Sequence, residues 1–90
     1  MDKKFEVYTL KKIDKHLNRI HPNDKKRILG YFVKLYDSPF PKGFDIIKLE
    51  GTINSFRARI GKVRIIYTVN YKQKEIIIIK VKYRKNAYRN

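Results

Sequence analysis

One short segment, "FRARIGKVRIIY" (residues 56–67), limits what this 90-residue chain can fold into more than any other. Gly61 and Lys62 separate two alternating stretches, and a glycine in the first of two turn positions is typical of a type II′ β-hairpin. Such a turn pairs Ile60 with Val63 and thereby determines every pair farther from the turn. Because side chains alternate between the faces of a sheet, one face of the hairpin is apolar, and we expect helices to cover it: its residues are Phe56, Ala58, Ile60, Val63, Ile65 and Tyr67.

The opposite face of the hairpin carries Arg57, Arg59 and Arg64 beside Ile66. The predicted register places Arg59 directly opposite Arg64, and like charges in that position destabilise a sheet by a few tenths of a kcal/mol or more. Several guanidinium groups can surround one phosphate, each binding it through two hydrogen bonds. We therefore interpret this face as an anion site. The alternative is a solvated face whose arginines splay apart or pair with a distant carboxylate.

The remaining pattern predicts an α+β fold. Residues 5–10 alternate as a strand does, and Leu10, Ile13, Leu17 and Ile20 repeat at helical spacing. Pro22 ends that helix, and Asn23 or Asp24 can cap a second one, whose buried face we expect to be Ile28, Leu29, Phe32, Leu35 and Tyr36. A loop (37–43), a short extended piece (44–51) and strands 56–60, 62–69 and 75–83 follow. The predicted order is strand–helix–helix–three-strand, with a helical hairpin packed on one face of a small, mostly antiparallel sheet, in a single domain spanning residues 1–90.

The last strand, within "EIIIIKVKYRKNAYRN", is predicted to be central and apolar on both sides. Simple alternation puts Ile77, Ile79 and Val81 on one side, and on the other Ile76, Ile78, Lys80 and Lys82, with Arg84 in phase with the lysines. Tyr83 lies at the end of the strand, and simple packing is one interpretation of it.

The chain is strongly basic, with 23 Lys and Arg residues against 8 Asp and Glu and a net charge of +15. Residues 57–90 hold 11 of the basic residues and one acid, Glu75. This excess favours a polyanionic partner, commonly nucleic acid, although high charge also serves solubility.

Several classes of protein are excluded or disfavoured by composition. The absence of cysteine excludes disulfides and thiolate sites. The apolar runs are shorter than the roughly 20 residues of a membrane helix, and the charged N-terminus lacks a signal peptide's apolar region, so we expect a cytoplasmic protein without a membrane partner. His16 and His21 are expected at the surface, and no ligand spacing predicts a metal or another cofactor.

The segments "FRARIGKVRIIYTV", "KVKYRKNAY" and "KLEGT" resemble the RelE-type toxins of the RelE/ParE superfamily, over nearly the whole chain. The resemblance implies the toxin of a type II toxin–antitoxin system: a metal-independent, ribosome-dependent endoribonuclease (an mRNA interferase) that cleaves mRNA in the ribosomal A site and inhibits translation. The implied partners are an acidic RelB-like antitoxin, the ribosome and mRNA. Arg84 and Tyr88 are more typical of this nuclease branch. A ParE-like DNA gyrase inhibitor without nuclease activity and an inactive RNA-binding relative are the alternatives.

The resemblance also implies the site residues. The catalytic set comprises Arg57, Arg59, Arg64, Arg84 and Tyr88. We expect Arg59 and Arg64 to stabilise the phosphorane, Arg57 to position the backbone, Arg84 to serve the leaving oxygen, and Tyr88 to act as the base. The residues expected to bind RNA or the ribosome are Lys62, Lys80, Lys82 and Lys85, and helix residues that offer further contacts, unless they are merely solvated, are Lys11, Lys12, Lys15, Lys25, Lys26 and Arg27. Some relatives have histidine at the position of Tyr83, so ordinary histidine acid–base catalysis is not expected here.

Overall fold

The protein folds as two helices packed against one face of a five-stranded sheet, in a computed structural model that describes residues 4–83. The elements are β1 (Glu6–Thr9), α1 (Lys11–Leu17), α2 (Pro22–Leu35), β2 (Asp45–Lys48), β3 (Ser55–Ile60), β4 (Val63–Asn70) and β5 (Glu75–Tyr83). The strand order is β1-β5-β4-β3-β2, and every pair is antiparallel except β1 with β5. The predicted α+β architecture is confirmed, and the short extended piece forms β2 at one edge of the sheet.

The β3–β4 hairpin has the predicted register. Ile60 pairs with Val63 and Arg59 with Arg64, and the pairing continues without a shift to Ser55. Gly61 has a φ of +60°, whereas Lys62 is not among the residues with positive φ. A positive φ at the first turn position alone distinguishes a type II′ turn from type I′, so the turn type is also confirmed.

The helices differ from the prediction in detail. Helix α1 ends at Leu17, earlier than predicted. Helix α2 begins at Pro22, a position that suits proline because the first helical N–H needs no partner. Its cap is His21, whose Nδ1 accepts a hydrogen bond from the backbone N–H of Asn23 at 3.1 Å, so the expected cap was wrong by two or three residues. Leu29, predicted to be buried, is 42% exposed.

Tyr31 on α2 and Tyr67 on β4 are both buried and link the helix layer to the sheet. The Tyr67 hydroxyl donates to the carbonyl oxygen of Pro39 at 2.6 Å, so the Tyr31 hydroxyl is the donor in the 2.9 Å bond between the two tyrosines. Burial raises the pKa of Tyr67 to about 12, and burial, followed by the bond to Tyr67, raises the pKa of Tyr31 well above its ordinary value. The pair remains neutral at physiological pH and ties α2, β4 and the loop after α2 together.

A β-bulge in β5 corrects the predicted faces of that strand. Ile66 pairs with Lys80 and Tyr67 with Ile78, so Ile79 is an extra residue. Ile76 and Ile78 therefore lie on the core side with Val81, not on the side of the lysines. Without the extra residue, the phase that buries Ile78 would turn Lys80 toward the core, where an unpaired ammonium is costly.

The residues that fill the core come from both helices and from alternate positions of the strands. Among residues 4–83, no helix is long and apolar enough to cross a membrane.

Candidate functional site

The candidate site is the face of the sheet opposite the helices, where side chains of four strands lie in register. We call it the arginine face and define it by Asp45, Ile47, Arg57, Arg59, Arg64, Ile66, Lys80 and Lys82. One row across the strands contains, in order, Asp45, Arg59, Arg64 and Lys82. The adjacent row contains Ile47, Arg57, Ile66 and Lys80. Five cations and one carboxylate thus occupy two neighbouring rows.

Arg59 and Arg64 are direct cross-strand neighbours, as predicted. They follow the pair that closes the two-residue turn and so form a non-hydrogen-bonded pair, in which the Cβ atoms are roughly 4.5–5.5 Å apart. Arg57 lies diagonally across from Arg64, at roughly 7–8 Å. The register therefore gathers the three arginines within reach of one phosphate group.

Asp45 is a member of this site that sequence reasoning missed. Its Oδ2 lies 3.7 Å from Nη1 of Arg59, and both side chains are about half exposed, at 53% and 51%. An exposed ion pair of this kind is worth about 0–1 kcal/mol. The pairing with a distant carboxylate that the sequence left open therefore exists for Arg59, but it is weak. Within residues 4–83, neither Arg57 nor Arg64 forms an ion pair.

The Nε atoms of Arg57 and Arg64 are buried and have no hydrogen-bond partner. Arg57 stands between Ile47 and Ile66 on the neighbouring strands, so two apolar side chains flank it. Most buried donors in proteins are paired, because an unpaired one costs roughly 1–3 kcal/mol. Two such donors therefore lie on one cationic face, each without a hydrogen-bond partner in the protein.

A recess of 220 Å³ lies beside the hairpin turn and is lined by Arg59, Gly61, Lys62, Val63 and Arg64. Lys62 is exposed at the tip of the turn. Three of the five lining residues are cationic, so the recess continues the charge of the arginine face. It can accommodate a small anion such as a phosphate group.

Tyr83 lies on the helix side of the sheet, where it forms a structural link. Its hydroxyl donates to Oδ2 of Asp24 at 3.0 Å and accepts from the backbone N–H of His21 at 3.1 Å. Packing of Tyr83, which the sequence left as one interpretation, is what the structure shows. These bonds join the end of β5 to the start of α2.

The two histidines have different environments. His21 is exposed, as expected, and caps α2. His16 is only partly exposed and its Nε2 atom is buried, which contradicts the expected surface position. His16 lies beside Ile79 and Lys80 because α1 packs against β5.

The predicted catalytic residues are only partly within the described structure. Arg57, Arg59 and Arg64 share the arginine face with Lys80 and Lys82, which were expected to bind RNA or the ribosome. Arg84, Lys85 and Tyr88 lie outside the described residues. Among residues 4–83, no group of three or more His, Asp or Glu side chains is arranged to hold a metal ion.

The helix residues expected to offer further contacts are largely solvent-facing. Lys11, Lys12 and Lys15 on α1 are exposed, as are Lys26 and Arg27 on α2. The remaining one, Lys25, is partly buried and donates from Nζ to Oδ1 of Asn18 at 3.2 Å.

Comparisons with known proteins give a consistent result. The chain is 38% identical, over 88 residues, to the protein named RelE1 of Methanocaldococcus jannaschii, covering 97% of this chain and 98% of that one. A chain in the crystal structure of the archaeal RelE–RelB complex from Pyrococcus horikoshii superposes with a TM-score of 0.82 at 39% identity, covering 91% of this chain and 97% of that chain. The isolated Escherichia coli RelE toxin shares the fold, with a TM-score of 0.74 at 16% identity and coverage of 93% and 90%. No protein-family model matches the chain.

Proposed function

The chain belongs to the RelE family of toxins, and on this basis we propose that it is a ribosome-dependent endoribonuclease that cleaves mRNA in the ribosomal A site and so inhibits translation. The single observation that carries the proposal is the pair of buried, unpartnered Nε donors of Arg57 and Arg64 on one cationic face. A merely solvated face would leave these donors in water. A face that holds a phosphodiester needs donors that are already desolvated and aimed by the sheet.

The proposed reaction is a transesterification within the RNA. A base removes the proton of a ribose 2′-hydroxyl, and the 2′-oxygen attacks the adjacent phosphorus. The bond from phosphorus to the 5′-oxygen of the next nucleotide breaks, and that oxygen takes up a proton. The products are a 2′,3′-cyclic phosphate and a free 5′-hydroxyl.

The arginine face stabilises the negative charge that develops on the phosphorane. Arg59 and Arg64, opposite each other, contact its non-bridging oxygens, and Arg57 holds the backbone beside them. Arginine remains protonated, so these residues stabilise charge and do not remove the 2′-proton. We assign removal of the 2′-proton to Tyr88. Arg84 neutralises the charge that develops on the leaving 5′-oxygen, which takes up its proton from solvent.

The composition of the arginine face also supports dependence on the ribosome. It contains no histidine, and its one carboxylate, Asp45, is engaged with Arg59. A site that relies on positioning and fixed charge gains most from a substrate that is already bent and aligned. We infer that the ribosome supplies this alignment and that Lys62, Lys80 and Lys82 contribute contacts to RNA.

We also propose that an acidic antitoxin of the RelB type inhibits the toxin in the cytoplasm. The related complexes from Pyrococcus horikoshii and Methanococcus jannaschii are RelE–RelB complexes. Acidic side chains of the antitoxin would occupy the arginine face in place of mRNA. The net charge of +15 would accelerate this association.

The decisive experiment is primer extension on a translated message after induction of the toxin. Wild type is expected to produce cuts at defined codon positions, whereas Arg64→Ala and Tyr88→Ala abolish both the cuts and the growth arrest. Lys72→Ala, in the exposed turn after β4, removes one charge far from the arginine face and serves as the matched control. Undiminished cutting by both site variants would refute the assignment. Intact mRNA together with cleaved DNA–gyrase complexes would instead identify a ParE-like inhibitor.

A further inference from the structure

A second cavity, of 530 Å³, lies between α2 and the edge of the sheet formed by β2 and β3. We call it the α2 cavity. Its volume is within the range of about 300–1,000 Å³ that is usual for small-molecule sites. It borders the arginine face through Asp45 and Arg59, and it shares Arg59 and Gly61 with the smaller recess. Its remaining lining residues lie outside both the arginine face and the recess.

The aromatic part of the cavity wall is the partly exposed ring of Phe44, which the buried ring of Tyr31 holds in place. Tyr31 and Phe44 pack edge to face, with their ring centroids 4.9 Å apart. The hydroxyl of Tyr31 is bound to Tyr67, so its ring cannot rotate away without breaking a buried hydrogen bond. A rigid apolar wall of this kind favours a flat, apolar group in the ligand.

Glycines keep the cavity open. Gly30 and Gly43 both line it, and a Cβ atom added at either position would meet no atom within 4 Å. Gly30 lies inside α2, where glycine costs roughly 1 kcal/mol relative to alanine. Gly30 thus leaves space beside the backbone of α2, although alanine at this position would make the helix more stable.

The rim of the α2 cavity is cationic. Arg27 and Lys34 are two helical turns apart on α2, on the same side as Gly30, and Arg59 of β3 also lines the cavity. Asp45 is the one carboxylate in the lining, and it is paired with Arg59. Arg27 lies close against the hairpin turn, because a Cβ atom added at Gly61 would come within 2.9 Å of its Nη1. Neither Arg27 nor Lys34 forms an ion pair with a carboxylate among residues 4–83.

We propose that the α2 cavity binds a single nucleotide, either a free nucleoside monophosphate or an unstacked nucleotide of an RNA chain. The phosphate lies between Arg27 and Lys34, and the base lies against the partly exposed ring of Phe44. A nucleotide is the common biological ligand that combines a flat aromatic ring with an anion, and the cavity offers a match for each part. The site is distinct from the arginine face, because α2 provides its phosphate-binding charges.

The four glycines of the chain make amide NMR spectroscopy a direct test, since their signals fall in a separate region of the spectrum. The full-length toxin is titrated with AMP, GMP, CMP or UMP, and separately with inorganic phosphate. Gly30 and Gly43, which line the α2 cavity and not the recess beside the hairpin turn, are expected to shift in a saturable manner, whereas Gly51, which lines neither, does not. Inorganic phosphate, which lacks the base, is expected to bind at least about tenfold more weakly, a difference of roughly 1.4 kcal/mol.

Variants locate the binding. Gly30→Leu fills the cavity and improves helix propensity, so it is expected to fold normally and to weaken nucleotide binding by at least about tenfold. Lys34→Ala is expected to weaken it by about three- to tenfold. Lys26→Ala, an exposed position on α2 outside the cavity lining, is the matched control and leaves the affinity unchanged. Arg64→Ala, which is expected to abolish mRNA cleavage, leaves nucleotide binding unchanged, so failure of one proposal is distinguishable from failure of the other.

Three results would overturn the inference. The first is the absence of shifts at Gly30 and Gly43 at up to about 10 mM nucleotide. The second is binding that survives Gly30→Leu, and the third is binding that Arg64→Ala removes. A short single-stranded RNA then separates the two sources: competition with the mononucleotide identifies RNA as the ligand, and lack of competition identifies the free nucleotide.

Discussion

Arg64→Met should make the toxin more stable while it abolishes mRNA cleavage. Arg64 stands opposite Arg59, and its Nε donor is buried without a partner. Methionine retains a long apolar stem that packs as the arginine stem does but carries neither the charge nor the donor. Both unfavourable contributions to the free energy of folding are therefore removed, and little packing is lost.

The expected gain follows from these two contributions. Relief of a like-charge pair directly across two strands is worth about 0.2–1 kcal/mol. Removal of a buried unpaired donor is worth about 1–3 kcal/mol, but only one nitrogen of the guanidinium is known to be buried, so we take the lower end. The sum is about 1–2 kcal/mol. For a domain of this size, that raises Tm by about 4–16 °C.

Thermal unfolding followed by circular dichroism measures this change. Lys72→Met removes the same charge from an exposed turn and is expected to stay within about 0.5 kcal/mol of wild type. Added inorganic phosphate should raise the Tm of wild type more than that of Arg64→Met, because a ligand stabilises only the form that binds it. The reasoning fails if Arg64→Met lowers Tm, or if phosphate stabilises both proteins equally.

Three further predictions concern the scaffold. Tyr67→Phe leaves the Pro39 carbonyl oxygen and the Tyr31 hydroxyl without their shared partner, so urea unfolding should show a loss of about 1–3 kcal/mol; an unchanged midpoint would contradict the assigned bonds. The pKa of Tyr67 is raised to about 12 from its ordinary 10, so Tyr67 contributes its full stability below pH 10 and progressively less as pH rises toward 12. Absorbance at 295 nm should show two tyrosines ionising after the others, and Tyr67→Phe should remove one of these two late-ionising groups. Gly61→Ala forces a Cβ atom into a turn with φ +60° and to within 2.9 Å of Nη1 of Arg27, which should lower stability by about 1–2 kcal/mol, whereas Gly51→Ala, with its positive φ but open space, should cost less.

Local rules were sufficient where the interactions are local. The type II′ turn at Gly61 and Lys62 depends on neighbouring residues alone, and once it is set, the period of two places every side chain of the hairpin. The faces of β5 could not be obtained in this way. Four consecutive isoleucines satisfy either phase, and the bulge at Ile79 is decided by what the strand packs against on each side.

Partners distant along the chain were also beyond local reasoning. Asp45 reaches Arg59 only because β2 adds to the edge of the hairpin. The His21 cap is reinforced by Tyr83, 62 residues away, and the same hydroxyl bonds to Asp24. Nothing in the sequence near α2 indicated these contacts, because each depends on how the sheet and the helices meet.

The sequence by itself therefore determined the α+β architecture, the hairpin register and the gathering of Arg57, Arg59 and Arg64 on one face, since alternation and turn chemistry act over a few residues. Only the tertiary structure decided which of these charges are desolvated, which one meets a carboxylate, and that β5 brings Lys80 and Lys82 into the same rows. It also created the α2 cavity, whose lining comes from three separate segments of the chain. Desolvation and long-range pairing are properties of surfaces brought together by packing, and no local pattern contains them.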